Sequence, residues 1–114
     1  MARKLLLVLL TLASCSKGPQ ADLQYISEAR SLAAEWALVN QLASAGKLTP
    51  TYVETMHESI REQLETAAKS LAQPDSGYGQ EIAALTKEKD ESSPEALRAH
   101  ANKLKQIEDS LESA

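Results

Sequence analysis

Hydrophobic positions along this chain change pattern twice, and each change marks a different kind of segment. Leu5 to Leu12 (LLLVLLTL) is a continuous apolar run of eight residues, directly after the charged Met1-Ala2-Arg3-Lys4. Ser16 to Ala21 (SKGPQA) is short and polar, with Gly18 and Pro19, and reads as a tether rather than an element. From Asp22 onward apolar residues recur in steps of three and four, the spacing of one helical face. No stretch alternates with the period of two expected of a half-buried strand.

The periodic part divides at its capping signals. A first helix is expected from Asp22 as N-cap to about Ala45, with Gly46 as the left-handed C′ residue. Tyr25, Ala29, Leu32, Trp36, Val39 and Ala43 form one face of it. The apolar stripe continues into Leu38 and Leu42, so its C-terminal half is apolar nearly all round. Either other helices surround that half or a partner meets it, which makes Leu38 and Leu42 candidate partner-binding residues. A second helix opens with Thr49 as N-cap, Pro50 at N1, and Leu48 stapled onto Val53. Val53, Met56, Ile60, Leu64, Ala67 or Ala68, and Leu71 form its buried face, and it is expected to end near Gln73, before Pro74.

Pro74 to Gly79 (PDSGYG) has turn chemistry throughout. A weaker helix is expected over about Gln80 to Lys89, with Ile82, Ala83 and Leu85 as core candidates. Lys87 to Asp90 (KEKD) reads as a solvated charge run. Ser93-Pro94-Glu95 opens the last helix, whose Leu97, His100 or Ala101, Leu104, Ile107 and Leu111 make a heptad-like seam. Glu108, Asp109 and Glu112 oppose the helix dipole near its end, so fraying is expected there. The fold class is all-α: a small antiparallel bundle of two long helices with a shorter helical hairpin packed across them.

Composition fits that class. Alanine is abundant, and the aromatics are Tyr25, Trp36, Tyr52 and Tyr78, with no phenylalanine. The 114 residues make room for one domain, 22–114, after a leader (1–14) and a tether (15–21). Removing Arg3 and Lys4 with the leader takes the formal charge from −4 to −6. So acidic a domain repels nucleic-acid phosphates and anionic headgroups alike, which argues against a nucleic-acid partner. With one cysteine, no intramolecular disulfide is possible.

That cysteine carries the clearest motif. An eight-residue helix rises about 12 Å, well short of the ~30 Å hydrocarbon layer, so Leu5 to Leu12 has the size of a signal-peptide core and not of a spanning anchor. The run ends in Leu12-Ala13-Ser14-Cys15, which resembles the lipobox of bacterial lipoproteins. The resemblance implies a diacylglyceryl group on the Cys15 sulfur, cleavage between Ser14 and Cys15, and an N-acyl chain on the new terminus. It makes lipid on Cys15 the membrane attachment. Three other readings stay open: cleavage after Ala13 leaving a free thiol, an uncleaved anchor, and the apolar start of a cytosolic helix. Ser16, where aspartate favours inner-membrane retention in enterobacterial lipoproteins, leans toward the outer membrane and a periplasm-facing domain.

Chemistry is otherwise sparse. His57 and His100 are the only histidines, with Glu54 or Glu58 as conceivable co-ligands. No HExxH or Cys/His cluster accompanies them, so no metal site is expected. The serines sit at caps, turns and polar faces without a nucleophile signature. Gly77-Tyr78-Gly79 lacks the preceding strand of a phosphate loop. No catalytic residue, cofactor or small-molecule substrate is therefore expected. Segments EARSLAAEW, LTPTYVETMHESIREQL and LKQIEDSLES are similar to small helical lipoproteins of proteobacteria, a resemblance that brings no activity and no site residues. The expectation is a non-catalytic binding or adaptor protein of the cell envelope. The alternative is a structural homo-oligomer paired through the heptad-like seams.

Overall fold

Capping chemistry in the sequence sets most of the helix boundaries in the computed structural model, which describes residues 18–113. A 3-10 turn, Pro19–Asp22, leads into α1 (Leu23–Ser44). Helices α2 (Pro50–Ser70), α3 (Gly77–Thr86) and α4 (Pro94–Glu112) follow. The all-α bundle expected from periodicity is what forms, with no strand among the described residues. None of these helices is long and apolar enough to cross a membrane.

Three starts follow one rule: a hydroxyl at the N-cap accepts an orphan backbone N–H. Thr49 accepts from Tyr52 N at 3.2 Å, Ser76 from Gly79 N, and Ser93 from Ala96 N, both at 3.1 Å. Pro50 and Pro94 occupy the first helical positions, where the missing N–H costs nothing. At the end of α1, Gly46 takes φ 72°. Its N–H donates to Ala43 O and that of Lys47 to Leu42 O, both at 3.0 Å. This is the paired closure that a left-handed glycine permits.

Four expectations need correction. The stretch taken as pure tether is partly folded: Pro19–Asp22 forms a turn, and Gln20 Nε2 donates to Leu111 O at 3.1 Å. Asp22 holds the N-cap position of α1 as expected, but its side chain makes no capping bond, because the 3-10 turn runs straight into the helix and its carboxylate points elsewhere. Helix α2 ends at Ser70, three residues early, and α3 begins at Gly77 rather than Gln80. The fourth concerns the expected fraying of α4, which stays helical through Glu112. There Glu108 is buried and lies 2.7 Å from Arg30 Nε, a close ion pair in which the N–H is off the axis of a hydrogen bond.

Helix α1 is the centre of the bundle. It packs most extensively on α4 and then on α2, while α3 fills the space between those two. The last helix, 19 residues, is nearly as long as α2, so α1 is flanked on both sides by long antiparallel neighbours. That explains its wide buried surface, which takes in Ile26, Ala33 and Ala37 beyond the predicted stripe. Ile60, Leu64, Ile82, Leu85, Leu97 and Leu104 close the core around Trp36.

Gly79 marks where α3 turns back over Pro74. A Cβ at this position would sit 2.1 Å from Pro74 O, whereas one at Gly77 meets nothing within 4 Å. Gly79→Ala should therefore force backbone movement and cost about 1–3 kcal/mol. Gly77→Ala should be neutral, or stabilising by up to ~1 kcal/mol through helix propensity. Paired urea titrations check this, and equal effects at the two glycines would disprove the close-approach account.

Candidate functional site

The segment joining α3 to α4, Lys87 to Ser93, is held by side chains from three helices. Trp36 Nε1 donates to Asp90 O at 3.0 Å. Asn40, one turn on, donates through Nδ2 to Asp90 O at 2.9 Å and to Ser92 O at 2.8 Å. From α2, Arg61 reaches Thr86 O and Glu88 O at 2.9 Å and the Asp90 carboxylate at 2.7 Å. Its guanidinium also lies 5.3 Å from the Trp36 ring centroid, within the range of a cation–π contact. The KEKD run is thus not simply solvated. Its carbonyls and two of its acids are the ligands of this cradle.

These contacts fix a tautomer. Carbonyl oxygens only accept, so both Asn40 Nδ2 hydrogens are spent and its Oδ1 must act as acceptor. His57 Nε2 lies 2.7 Å from that Oδ1 and must donate to it. A neutral His57 therefore carries its proton on Nε2 and keeps a lone pair on Nδ1. The two rings of Trp36 and His57 stand 6.4 Å apart and tilted by 57°.

His100 belongs to the other edge of the same segment. Its Nε2 lies 2.6 Å from Glu88 Oε2, and its Nδ1 lies 3.4 Å from Glu81 Oε1. Ser92 Oγ donates to the other Glu88 oxygen at 2.7 Å. The Ser92 and His100 hydrogen bonds outweigh burial and lower the Glu88 carboxyl below its ordinary value. His100 thus braces the loop directly through Glu88 and His57 only through Asn40, so the two histidines share no ligand position. Among the described residues, the group of potential metal ligands lying close together is Glu108, Asp109 and Glu112, which includes neither histidine.

Beside the cradle, between the ends of α1 and α2, runs an open groove of about 610 Å³. Ala43, Leu48, Pro50 and Val53 make its apolar floor, while Glu54, Glu58, Asp90 and Glu91 stand along it with His57 and Arg61. Leu38 and Leu42 are not part of this lining. Leu38 is 51% exposed on the face of α1 opposite the core, and Leu42 is half-buried. Cys15 and Ser14 lie outside the described residues.

A second polar hub sits at the other end of α1. Asp22, 1% exposed, accepts from Ala72 N at 2.7 Å, Gln73 N at 3.0 Å and Tyr78 Oη at 2.7 Å. Burial alone would raise its pKa, but these three donors together bring it below the ordinary value. Burial, followed by the bond to Asp22, pushes the Tyr78 phenol up. Sequence reading misses both hubs. The available signal for the first is Asn40, a lone amide four residues after Trp36 on an otherwise apolar stripe.

Compared with protein-family models, with curated proteins and with solved structures, the chain matches none of them.

Proposed function

We propose that this chain is a bacterial lipoprotein, anchored by lipid on Cys15, whose helical domain serves the cell envelope as a non-catalytic binding or adaptor protein. The observation that carries the reading is Leu12-Ala13-Ser14-Cys15 directly after a charged start and an eight-residue apolar run. A diacylglyceryl group on sulfur and an acyl chain on nitrogen bury enough CH₂ groups for stable attachment, which one chain alone does not give. Ser16 favours the outer membrane. The acidic domain adds no electrostatic attraction to anionic lipid, so the anchor is the sole attachment in this reading.

The tether supports a domain held close to the bilayer. Pro19 is four residues beyond Cys15 and already belongs to the turn bonded to the end of α4; four extended residues reach only about 14 Å. The adaptor half of the reading is supported by the cradle. Arg61, Asn40, His100 and Glu88 are committed to internal partners, which suits a rigid binding surface better than proton transfer. The homo-oligomer alternative has less support, since the seam residues Leu97 and Leu104 are fully used in the chain's own core.

Metabolic labelling with palmitate tests the anchor. The wild-type protein should take up label and fractionate with membranes, and Cys15→Ser should lose both properties. An unlabelled wild type, or a Cys15→Ser variant still on the membrane, would refute lipid attachment.

A further inference from the structure

We infer that the groove between the ends of α1 and α2 is a docking site for a basic, amphipathic peptide segment of another envelope protein. The lining combines an apolar floor with an acidic border. Val53 and Leu48 pack on the core from one side and remain half-exposed on the other, so they offer apolar surface to a guest. Of the bordering carboxylates, Asp90 is neutralised by Arg61 at 2.7 Å. Glu54, Glu58 and Glu91 are all exposed, and no cation of the described residues lies within ion-pair distance of them. Arg61, the cation of the lining, turns three of its N–H donors to the loop and pairs its charge with Asp90. Three uncompensated negative charges over an apolar floor suit lysine or arginine side chains, whose stems cover apolar surface while their heads meet carboxylates.

The wall is preorganised. Trp36 and Asn40 fix the backbone that carries Asp90 and Glu91, and His57 holds Asn40 in place, so little ordering is left to oppose binding. A volume of about 610 Å³ falls within the ~300–1,000 Å³ usual for ligand clefts, and the open shape suits an extended segment.

Position and charge decide between occupants. Ala43 is twenty residues along α1 from its start, about 30 Å from the end that carries the turn at Pro19. The groove is therefore at the end of the bundle remote from the turn at Pro19, and its border repels anionic headgroups. A second copy of this chain brings the same acidic charge of −6 after loss of the leader, so its approach is opposed as well. This inference deepens the adaptor reading and rests on it for the kind of partner. Its test does not involve the lipid, so failure of the anchor and failure of the groove are told apart.

The probe is a fluorescein-labelled peptide alternating Lys or Arg with Leu, added to the protein purified from the cell in a neutral detergent. Its controls are a Glu-for-Lys/Arg counterpart and a Ser-for-Leu counterpart. By anisotropy, the basic amphipathic peptide should bind at least tenfold more tightly than either control. The triple variant Glu54→Gln, Glu58→Gln, Glu91→Gln should weaken it at least tenfold. These three side chains are exposed, and unchanged circular dichroism verifies the fold. Leu38→Ser, on the far face of α1, should bind as wild type does. Equal binding to the triple variant, or equal binding of the Ser-for-Leu peptide, would overturn the proposal. So would a dimer of the free protein that the triple variant dissociates, since the groove would then hold a second copy.

Discussion

Trp36→Ala should lower the melting temperature by about 15–30 °C, the largest effect of any single substitution in this domain. Three losses combine. The indole is 1% exposed at the centre of the core, and truncating such a side chain costs about 3–5 kcal/mol through lost transfer energy and the cavity left behind. Its Nε1 bond to Asp90 O disappears, and Arg61 loses the ring beneath its guanidinium. In a domain of this size, each kcal/mol corresponds to roughly 4–8 °C. Trp36→Phe separates the contributions, because it retains most of the volume and a ring under Arg61 but removes the N–H. Asp90 O still accepts from Asn40, so the phenylalanine variant should cost only about 1–2 kcal/mol. Thermal melts followed by circular dichroism decide the matter. Equal destabilisation by Phe and Ala would mean that the hydrogen bond, and not the packing, dominates.

Asp22→Ala is expected to cost about 2–4 kcal/mol, because it strands two backbone N–H groups and a phenol in a buried place. Asn is a poor substitute. One carboxylate oxygen accepts from both Gln73 N and Tyr78 Oη, and an amide nitrogen at either oxygen would face a donor with a donor. The pair also shapes stability against pH. Since the folded-state pKa of Asp22 is lowered, its contribution is complete above the unfolded value of about 3.9 and is lost as pH falls through the folded one. Glu88, also lowered, adds to the same acid limb. Tyr78 is raised, so its contribution is complete below about pH 10 and is lost as pH rises beyond that. Urea titrations across pH should thus show a plateau bounded on both sides. Tyr78→Phe should flatten the alkaline edge, and Asp22→Asn should shrink the acid one. A wild-type acid limb that survives Asp22→Asn at full size would place its origin elsewhere.

What could be read from the chain follows how local each decision is. Thr49-Pro50 and Ser93-Pro94 declare two helix starts, since the cap accepts an N–H only three residues on. Gly46 likewise announces the end of α1 through bonds within five residues. Leu71, by contrast, leaves the helix with ψ 134° where the next two backbone N–H groups donate to an aspartate fifty residues earlier. Nothing near Gln73 in sequence signals that. Gly77 and Gly79 favour a turn on local propensity, yet Ser76 caps them into α3 and the bare Gly79 fits against Pro74. Asp22, Asn40, Glu88 and Glu108 each look like ordinary surface or cap residues until distant partners, from His100 for Glu88 (12 positions away) to Arg30 for Glu108 (108 − 30 = 78 positions away), are in place.

The sequence by itself determined the all-α class, the places where α1, α2 and α4 start, the hydroxyl caps of the last two, the end of α1, and the motif around Cys15 on which the anchoring proposal stands. These rest on interactions within a turn or two, or on composition, and need no fold to be legible. Only the tertiary structure decided that α1 is the central helix, that Asp22 and Asp90 are buried or bridged hubs, and that the acids of α2 meet Glu91 around one groove. The reason is physical. A carboxylate or amide has the same local preferences whether water or a distant backbone satisfies it, and packing alone chooses between the two.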